Sequence, residues 1–185
     1  KILPLNDCTA TIEVTFNEVS EATDTIISLM TQPITPSKLE FIDAEAIKLI
    51  NTIKIDHYDK KIKAAIILEI DGEKEYIDLM LKNIIKVIEI NKFNKISIAD
   101  NLKDIEDLWS ARKSLSPALR VIGSHKINED IAVPISNLTK LLSNLDEISR
   151  KYSIKIVNFG HAGNGNIHVN LLFQSEEEKN SQRSE

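Results

Sequence analysis

Residues 160–170 read Gly-His-Ala-Gly-Asn-Gly-Asn-Ile-His-Val-Asn, a set of side chains suited to metal and proton chemistry. Histidine is the commonest side-chain metal ligand and titrates near neutral pH. His161 and His168 flank a turn with glycines at 160, 163 and 165, where a tight path or a positive φ is open to the backbone. Residues 154–159 and 167–173 read as strands on either side. If 162–165 form the turn, Phe159 stands opposite His168 and His161 opposite Asn166. Alternation then puts His161, Asn166, His168 and Asn170 on one face of a hairpin, with diagonal Cβ atoms within about 8 Å. Two imidazoles at metal–nitrogen distances of about 2.0–2.1 Å close that gap onto one ion. A loop one residue longer or shorter reverses the parity. The plainer alternative is a glycine turn flanked by satisfied polar residues. Two histidines are also half a site, because a catalytic divalent ion normally takes three protein ligands. A carboxylate can complete it, but spacing does not choose among 28 acidic residues. His57 and His125 lie in no ligand-like pattern.

A second constellation lies upstream. Arg112 follows Trp109 by three residues, so both occupy one face of a helix. The guanidinium either packs along the indole at the surface or forks onto a carboxylate, which arginine does better than lysine. Ser116 is one turn further on the same face and can donate to a ligand oxygen. Pro117 predicts that the helix ends there. Glu129 and Asp130 are read as structural residues at a strand edge before Pro134.

Alternating strands and helices must position these groups. Residues 10–16 alternate apolar and polar as a half-buried strand does. Residues 20–30 are amphipathic, 39–42 form a short strand, and Asp43 is placed to cap a helix over 44–53. Residues 64–70 form a strongly apolar strand ending at an Asp71-Gly72 turn. The longest helix spans 73–91, with Ile77, Met80, Leu81, Ile84 and Ile88 on its apolar stripe. A strand over 95–99 precedes a helix from 101 or 102 to about 115. Residues 126–133 are extended, and 137–152 form another helix. The order predicts an α+β fold, an antiparallel sheet covered by helices. Two βαβ-type units, roughly 10–71 and 95–173, make it ferredoxin-like.

Composition bounds the function. A chain of 185 residues buries one sizeable core. Net charge of −5 argues against nucleic acid as a partner. One cysteine, Cys8, gives no disulfide framework. No apolar run approaches the ~20 residues of a transmembrane segment.

Gly160-His-Ala-Gly-Asn-Gly-Asn-Ile-His168 resembles the Gly-His-x-Gly-Asp-Gly-Asn-x-His signature of the FAD-linked oxidases. These are the relatives of glycolate oxidase D-subunit, D-lactate dehydrogenase and D-2-hydroxyglutarate dehydrogenase. Leu108-Trp-Ser-Ala-Arg112 is similar to the family's Trp-x-x-Arg, and Glu129-Asp-Ile-Ala-Val-Pro134 to its Glu-Asp-Val-x-Val-Pro. A weaker match lies at Leu39-Glu-Phe-Ile-Asp43. Members carry an N-terminal FAD-binding domain, a substrate or cap domain, and a C-terminal segment that returns to the flavin. The resemblance implies a cap domain over 1–174 of FAD-linked oxidase C-terminal type. Residues 175–185 would be a polar tail, disordered or truncated. It further implies that the FAD-binding domain lies in cis or on a separate subunit. No Gly-rich flavin-phosphate segment occurs here. The family's Glu-His-Gly motif, source of a carboxylate metal ligand and a histidine base, is also missing. The chain is therefore expected to be a fragment or a split gene product, colourless and inactive alone.

By this resemblance Arg112, Ser116 and Lys126 bind a small 2-hydroxy acid. His161 and His168 hold a divalent metal, Zn or Mn, which lowers the pKa of the substrate hydroxyl, and Asn170 is a catalytic contact to the same oxygen. Hydride then passes from the α-carbon to FAD, and an unspecified electron acceptor reoxidises it. Asn164 stands where the family usually has aspartate, which removes a charge near the metal. The expected location is cytoplasmic, or peripheral at the inner membrane through an electron-transfer partner. The alternative is a non-catalytic metal-binding or interaction domain.

Overall fold

The computed structural model describes residues 8–54, 57–99, 101–122, 125–173 and 175–177. The elements run β1 (Cys8–Phe16), α1 (Val19–Met30), β2 (Lys38–Asp43), α2 (Ala44–Ile53), β3 (Ala64–Gly72), α3 (Lys74–Ile90) and β4 (Lys95–Ala99). They continue through α4 (Leu102–Ile122), β5 (His125–Ala132), α5 (Leu138–Tyr152), β6 (Lys155–His161) and β7 (Asn166–Phe173). Short 3-10 turns at Ile135–Asn137 and Ala162–Asn164 precede α5 and β7. The expected tail falls mostly outside the described residues. No helix among the described residues is long and apolar enough to cross a membrane.

The strands form one antiparallel sheet in the order β4-β1-β3-β2-β6-β7-β5. The first four make a ferredoxin-like split βαβ arrangement with α2 inserted between β2 and β3. The second unit is β5-α5-β6-β7. This corrects the expected boundary at residue 95. β4 pairs with β1 and closes the first unit, because its side chains align with β1 from Thr15↔Lys95 to Thr11↔Ala99.

The two units meet at a short seam, where Phe41 pairs with Gly160 and Ile42 with Phe159. The ladder stops there because Asp43, the last residue of β2, turns its side chain to cap α2 and to hold Asn158 of β6. Its Oδ1 accepts from Ala46 N at 2.8 Å. Its Oδ2 accepts from Asn158 N at 2.8 Å and from Asn158 Nδ2 at 2.9 Å, replacing the missing rungs. Burial pushes this carboxyl up to about 7, against the pull of those hydrogen bonds.

Strand alternation gives the sheet two faces. One packs Ile12, Val14, Phe16, Phe41, Ile66 and Leu68 against α1, α3 and α5. The other packs Ile42, Ile67, Val157 and Phe159 against α2 and α4.

Two sequence expectations give way here. Asp71 and Gly72 form no turn. They stay in β3, paired with Thr9 and Cys8, because β1 extends far enough to hold them. Pro117 does not end α4, which continues to Ile122. Proline costs the helix the hydrogen bond to the carbonyl four residues earlier. Ala118 and Leu119, beyond it, are buried in the core of this face, and that burial offsets the loss.

Candidate functional site

The site lies on the α2/α4 face, around the end of the β6–β7 hairpin. The hairpin has the register that a 162–165 turn requires, with Phe159 opposite His168 and His161 opposite Asn166. Two glycines make it possible. Gly165 adopts φ +69°, and a Cβ there would lie 2.0 Å from the Val133 carbonyl oxygen. At Gly160 a Cβ would meet the Asn166 carbonyl oxygen at 2.6 Å. Gly163 shows neither constraint, with its nearest contact at 3.4 Å.

The hairpin brings the two imidazoles together, with ring centroids 5.2 Å apart and planes at 82°. Each ring is anchored by a carboxylate. His161 Nδ1 bonds Glu40 Oε1. His168 Nδ1 bonds Asp130 Oδ1 at 2.5 Å, across the β5–β7 pair. An ionised carboxylate only accepts, so each Nδ1 carries a proton, and in the neutral imidazole the lone pair is on Nε2. This carboxylate–histidine pairing is how proteins orient imidazole ligands for metals. Among the described residues, however, no group of three or more His, Cys, Asp or Glu side chains is set to hold a metal.

Arg112 reaches the same assembly from α4. Its Nε donates to Glu40 Oε2 at 2.8 Å, and its Cζ lies 4.5 Å from the centre of the Phe159 ring. The ion pair is buried, with side chains 13% and 9% exposed. Arg112 is thus held from below by an aromatic face and from the side by a carboxylate. Its remaining N–H donors bond no other described residue. Trp109, one turn earlier, donates its Nε1–H to Thr11 Oγ1 at 3.3 Å and lies under Lys38.

Ser116, Lys126, His168 and Asn170 line a cleft of about 330 Å³ between α4 and the β5–β7 pair, with Asn128, Asp130 and Phe159. Four of the six predicted site residues therefore share one cavity. Arg112 and His161 line two other cavities, of about 430 and 330 Å³, and are tied together by Glu40, which lines both. Asn170 is buried, and its Nδ2 donates to Val157 O at 3.1 Å and His168 O at 3.3 Å. Its Oδ1 is the acceptor left for a ligand. Ser116 and Lys126 make no side-chain hydrogen bond to the described residues. A larger cavity, about 790 Å³, opens between α1, α2 and α5 and holds none of the six.

His57 and His125 take no part. His57 is exposed, edge-on to Tyr58, and partial desolvation lowers its pKa, with the Lys54 charge adding to the effect. His125 pairs with Glu176 at 2.9 Å. The sequence missed two functional partners. Asp130, read as a structural residue at a strand edge, orients His168. Glu40 appeared only within the Leu39–Asp43 match and carried no assigned role. Neither stands near its histidine in the chain, and only strand pairing joins them.

The chain also resembles known proteins. Residues 6–185 match the family model described as FAD linked oxidases, C-terminal domain. Glycolate oxidase subunit GlcD of Bacillus subtilis is 27% identical over 91% of this chain and 36% of its own length. Mitochondrial D-lactate dehydrogenase (cytochrome) 1 of Saccharomyces cerevisiae is 24% identical over 89% of this chain and 30% of its own length. The chain thus spans about a third of the length of these relatives. Solved structures share the fold at lower identity. p-Cresol methylhydroxylase superposes with a TM-score of 0.73 at 12% identity, over 98% of this chain and 42% of that one. Alkyldihydroxyacetonephosphate synthase gives 0.71 at 12%, over 100% and 39%. With the family model matched over nearly its whole length, this chain belongs to the FAD-linked oxidases and is their C-terminal domain.

Proposed function

We propose that this domain binds the substrate of a flavin-dependent 2-hydroxy acid dehydrogenase of the glycolate, D-lactate or D-2-hydroxyglutarate type. One observation carries the reading: Glu40 ties a part-buried, oriented arginine to one of two carboxylate-anchored imidazoles, and the other imidazole lines a polar cleft with Ser116, Lys126 and Asn170. Arg112, with Nε committed to Glu40, offers its two Nη groups to the substrate carboxylate. Ser116 and Lys126 donate to further carboxylate oxygens from the cleft wall. Asn170 accepts the hydrogen bond of the substrate hydroxyl through Oδ1. Phe159, under Arg112 and beside His168, excludes water from that side.

The donor set fits a divalent ion such as Zn or Mn at the Nε2 atoms of His161 and His168. The family's Glu-His-Gly segment would supply the third ligand and the base. When bound, the ion lowers the pKa of an alcohol that it contacts, and FAD in its own domain takes the electrons. Asn164, in place of the family's aspartate, leaves the ion one fewer nearby negative charge. We place the protein in the cytoplasm, or peripherally at the inner membrane through an electron-transfer partner.

The test uses the protein that carries this domain together with its flavin domain. D-lactate, glycolate and D-2-hydroxyglutarate are assayed in turn. Arg112→Ala is expected to lower kcat/KM by on the order of 100-fold or more, as loss of a charged, oriented contact does. His161→Ala and His168→Ala are each expected to purify without bound Zn or Mn, with residual affinity measured by titration. Normal turnover by the arginine variant would remove Arg112 from the site, and unchanged metal content would remove the ion. Oxidation of none of the three acids would favour an interaction domain.

A further inference from the structure

Glu40 touches two groups that the proposed reaction needs and reacts with neither. It lies on β2, in the first unit of the sheet. Arg112 comes from α4, the helix that joins the two units, and His161 from β6, in the second. We propose that Glu40 is a positioning residue that sets two geometries with one carboxylate: the orientation of the Arg112 guanidinium and the tautomer of His161. This rests on the metal and substrate reading above.

A carboxylate is acceptor-only, with two oxygens that can each take a hydrogen bond. Oε2 accepts from Arg112 Nε and so fixes the guanidinium in its plane over Phe159, with the Nη edge turned away from Glu40. Oε1 accepts from His161 Nδ1, which keeps the proton there and leaves Nε2 free to ligate. Asp130 does the second job for His168 and bonds no other described side chain. Glu40 is therefore the one carboxylate of the pair that links the substrate anchor to a metal ligand. Its burial matters, since little water reaches it to replace either bond.

Glu40→Gln separates the two requirements. The amide has one accepting and one donating end. With its oxygen toward Arg112, its NH2 faces His161 Nδ1 and drives the imidazole proton onto Nε2. With its oxygen toward His161, its NH2 meets the Arg112 Nε–H. No orientation keeps both the Arg112 bond and the Nδ1–H tautomer of His161. In the complete flavoprotein, the variant is expected to bind Mn²⁺ about tenfold or more weakly, the usual loss for a missing outer-shell partner. The substrate KM is expected to rise, with bound flavin retained. A mere fold defect would act regardless of background, so the double variants discriminate. In a His161→Ala background Glu40→Gln should not weaken Mn²⁺ further, and in an Arg112→Ala background it should not raise KM further.

Mn²⁺ affinity and KM within twofold of the unmutated protein would overturn the proposal, as would a full Glu40→Gln effect persisting in both backgrounds. ¹⁵N NMR of the histidines in the metal-free, unmutated protein tests it without any variant. An Nδ1–H tautomer at His161 supports the proposal, and an Nε2–H tautomer overturns it. His168→Ala is the control for the parent reading. If it leaves Mn²⁺ binding unchanged, the metal reading itself fails. If it abolishes binding while Glu40→Gln leaves Mn²⁺ affinity within twofold of the unmutated protein, only the role of Glu40 fails.

Discussion

The face of the sheet under α1, α3 and α5 and the face under α2 and α4 are built by alternate residues of the same strands, yet they differ in chemistry. Along β1 the first face receives Ala10, Ile12, Val14 and Phe16, and the second receives Thr11, Glu13 and Thr15. Along β2 the first receives Leu39 and Phe41, and the second receives Glu40 and Ile42. All of these are buried. The first face is held mainly by apolar contact, with a Thr139–Thr23 hydrogen bond of 2.8 Å between α5 and α1 and the Asp43–Asn158 pair at the seam. The second buries polar groups only where each finds a partner: Glu13 takes the Tyr58 hydroxyl at 2.6 Å, and Glu40 takes Arg112 and His161. Burial drives the Glu13 pKa up, and it drives Tyr58 well up, with Glu13 adding to the effect. One face thus supplies stability, and the other spends some of it on placing charge.

If that division is right, substitutions on the two faces should fail differently. The largest stability effect is expected from Ile66→Ala on the apolar face, a loss of about 2–5 kcal/mol in chemical denaturation. The molecules that remain folded should keep their substrate KM. A raised KM in the folded fraction would mean that the faces are coupled. Asp43→Ala comes next. It removes the α2 cap and strands both Asn158 donors at the seam, for about 2–4 kcal/mol.

A further expected effect is a pH dependence. The folded carboxyl of Asp43 titrates at about 7, above its unfolded value of ~3.9. The folded state therefore holds the proton more tightly. Its contribution to stability is complete below pH ~4 and is lost as pH rises toward about 7. Thermal midpoints of the unmutated protein and of Asp43→Asn, taken from pH 4.5 to 8, should differ in slope across that window. Parallel curves would mean that Asp43 is ionised in the fold throughout.

Local patterns made much of this molecule legible. The hairpin register followed from turn length and glycine placement, and Asp43 at the cap of α2 followed from its position before an amphipathic run. β4 matched its expected limits, and α3 differed from its own only at the two capping residues. Elements failed where a distant partner outweighed a local signal. Asp71-Gly72 is a turn dipeptide by propensity, but Cys8 and Thr9 hold it in a ladder. Pro117 is a helix terminator by sterics, but buried Ala118 and Leu119 carry the helix past it. The same cause hid Glu40 and Asp130, whose roles exist only across strand pairs and helix–sheet contacts.

What the sequence determined by itself was periodicity and residue type: two histidines at a spacing that one hairpin face can bring together, an arginine on a helix, and an alternation that demands a two-faced sheet. Those are properties of the backbone repeat, set within a few residues. What only the tertiary structure decided was which unit β4 joins, where β2 meets β6, and which carboxylates orient the two imidazoles. Glu40 and His161 are 121 residues apart and touch through the β2–β6 seam. No local repeat encodes such a contact, because it depends on strand order and register, which the burial of every face settles together.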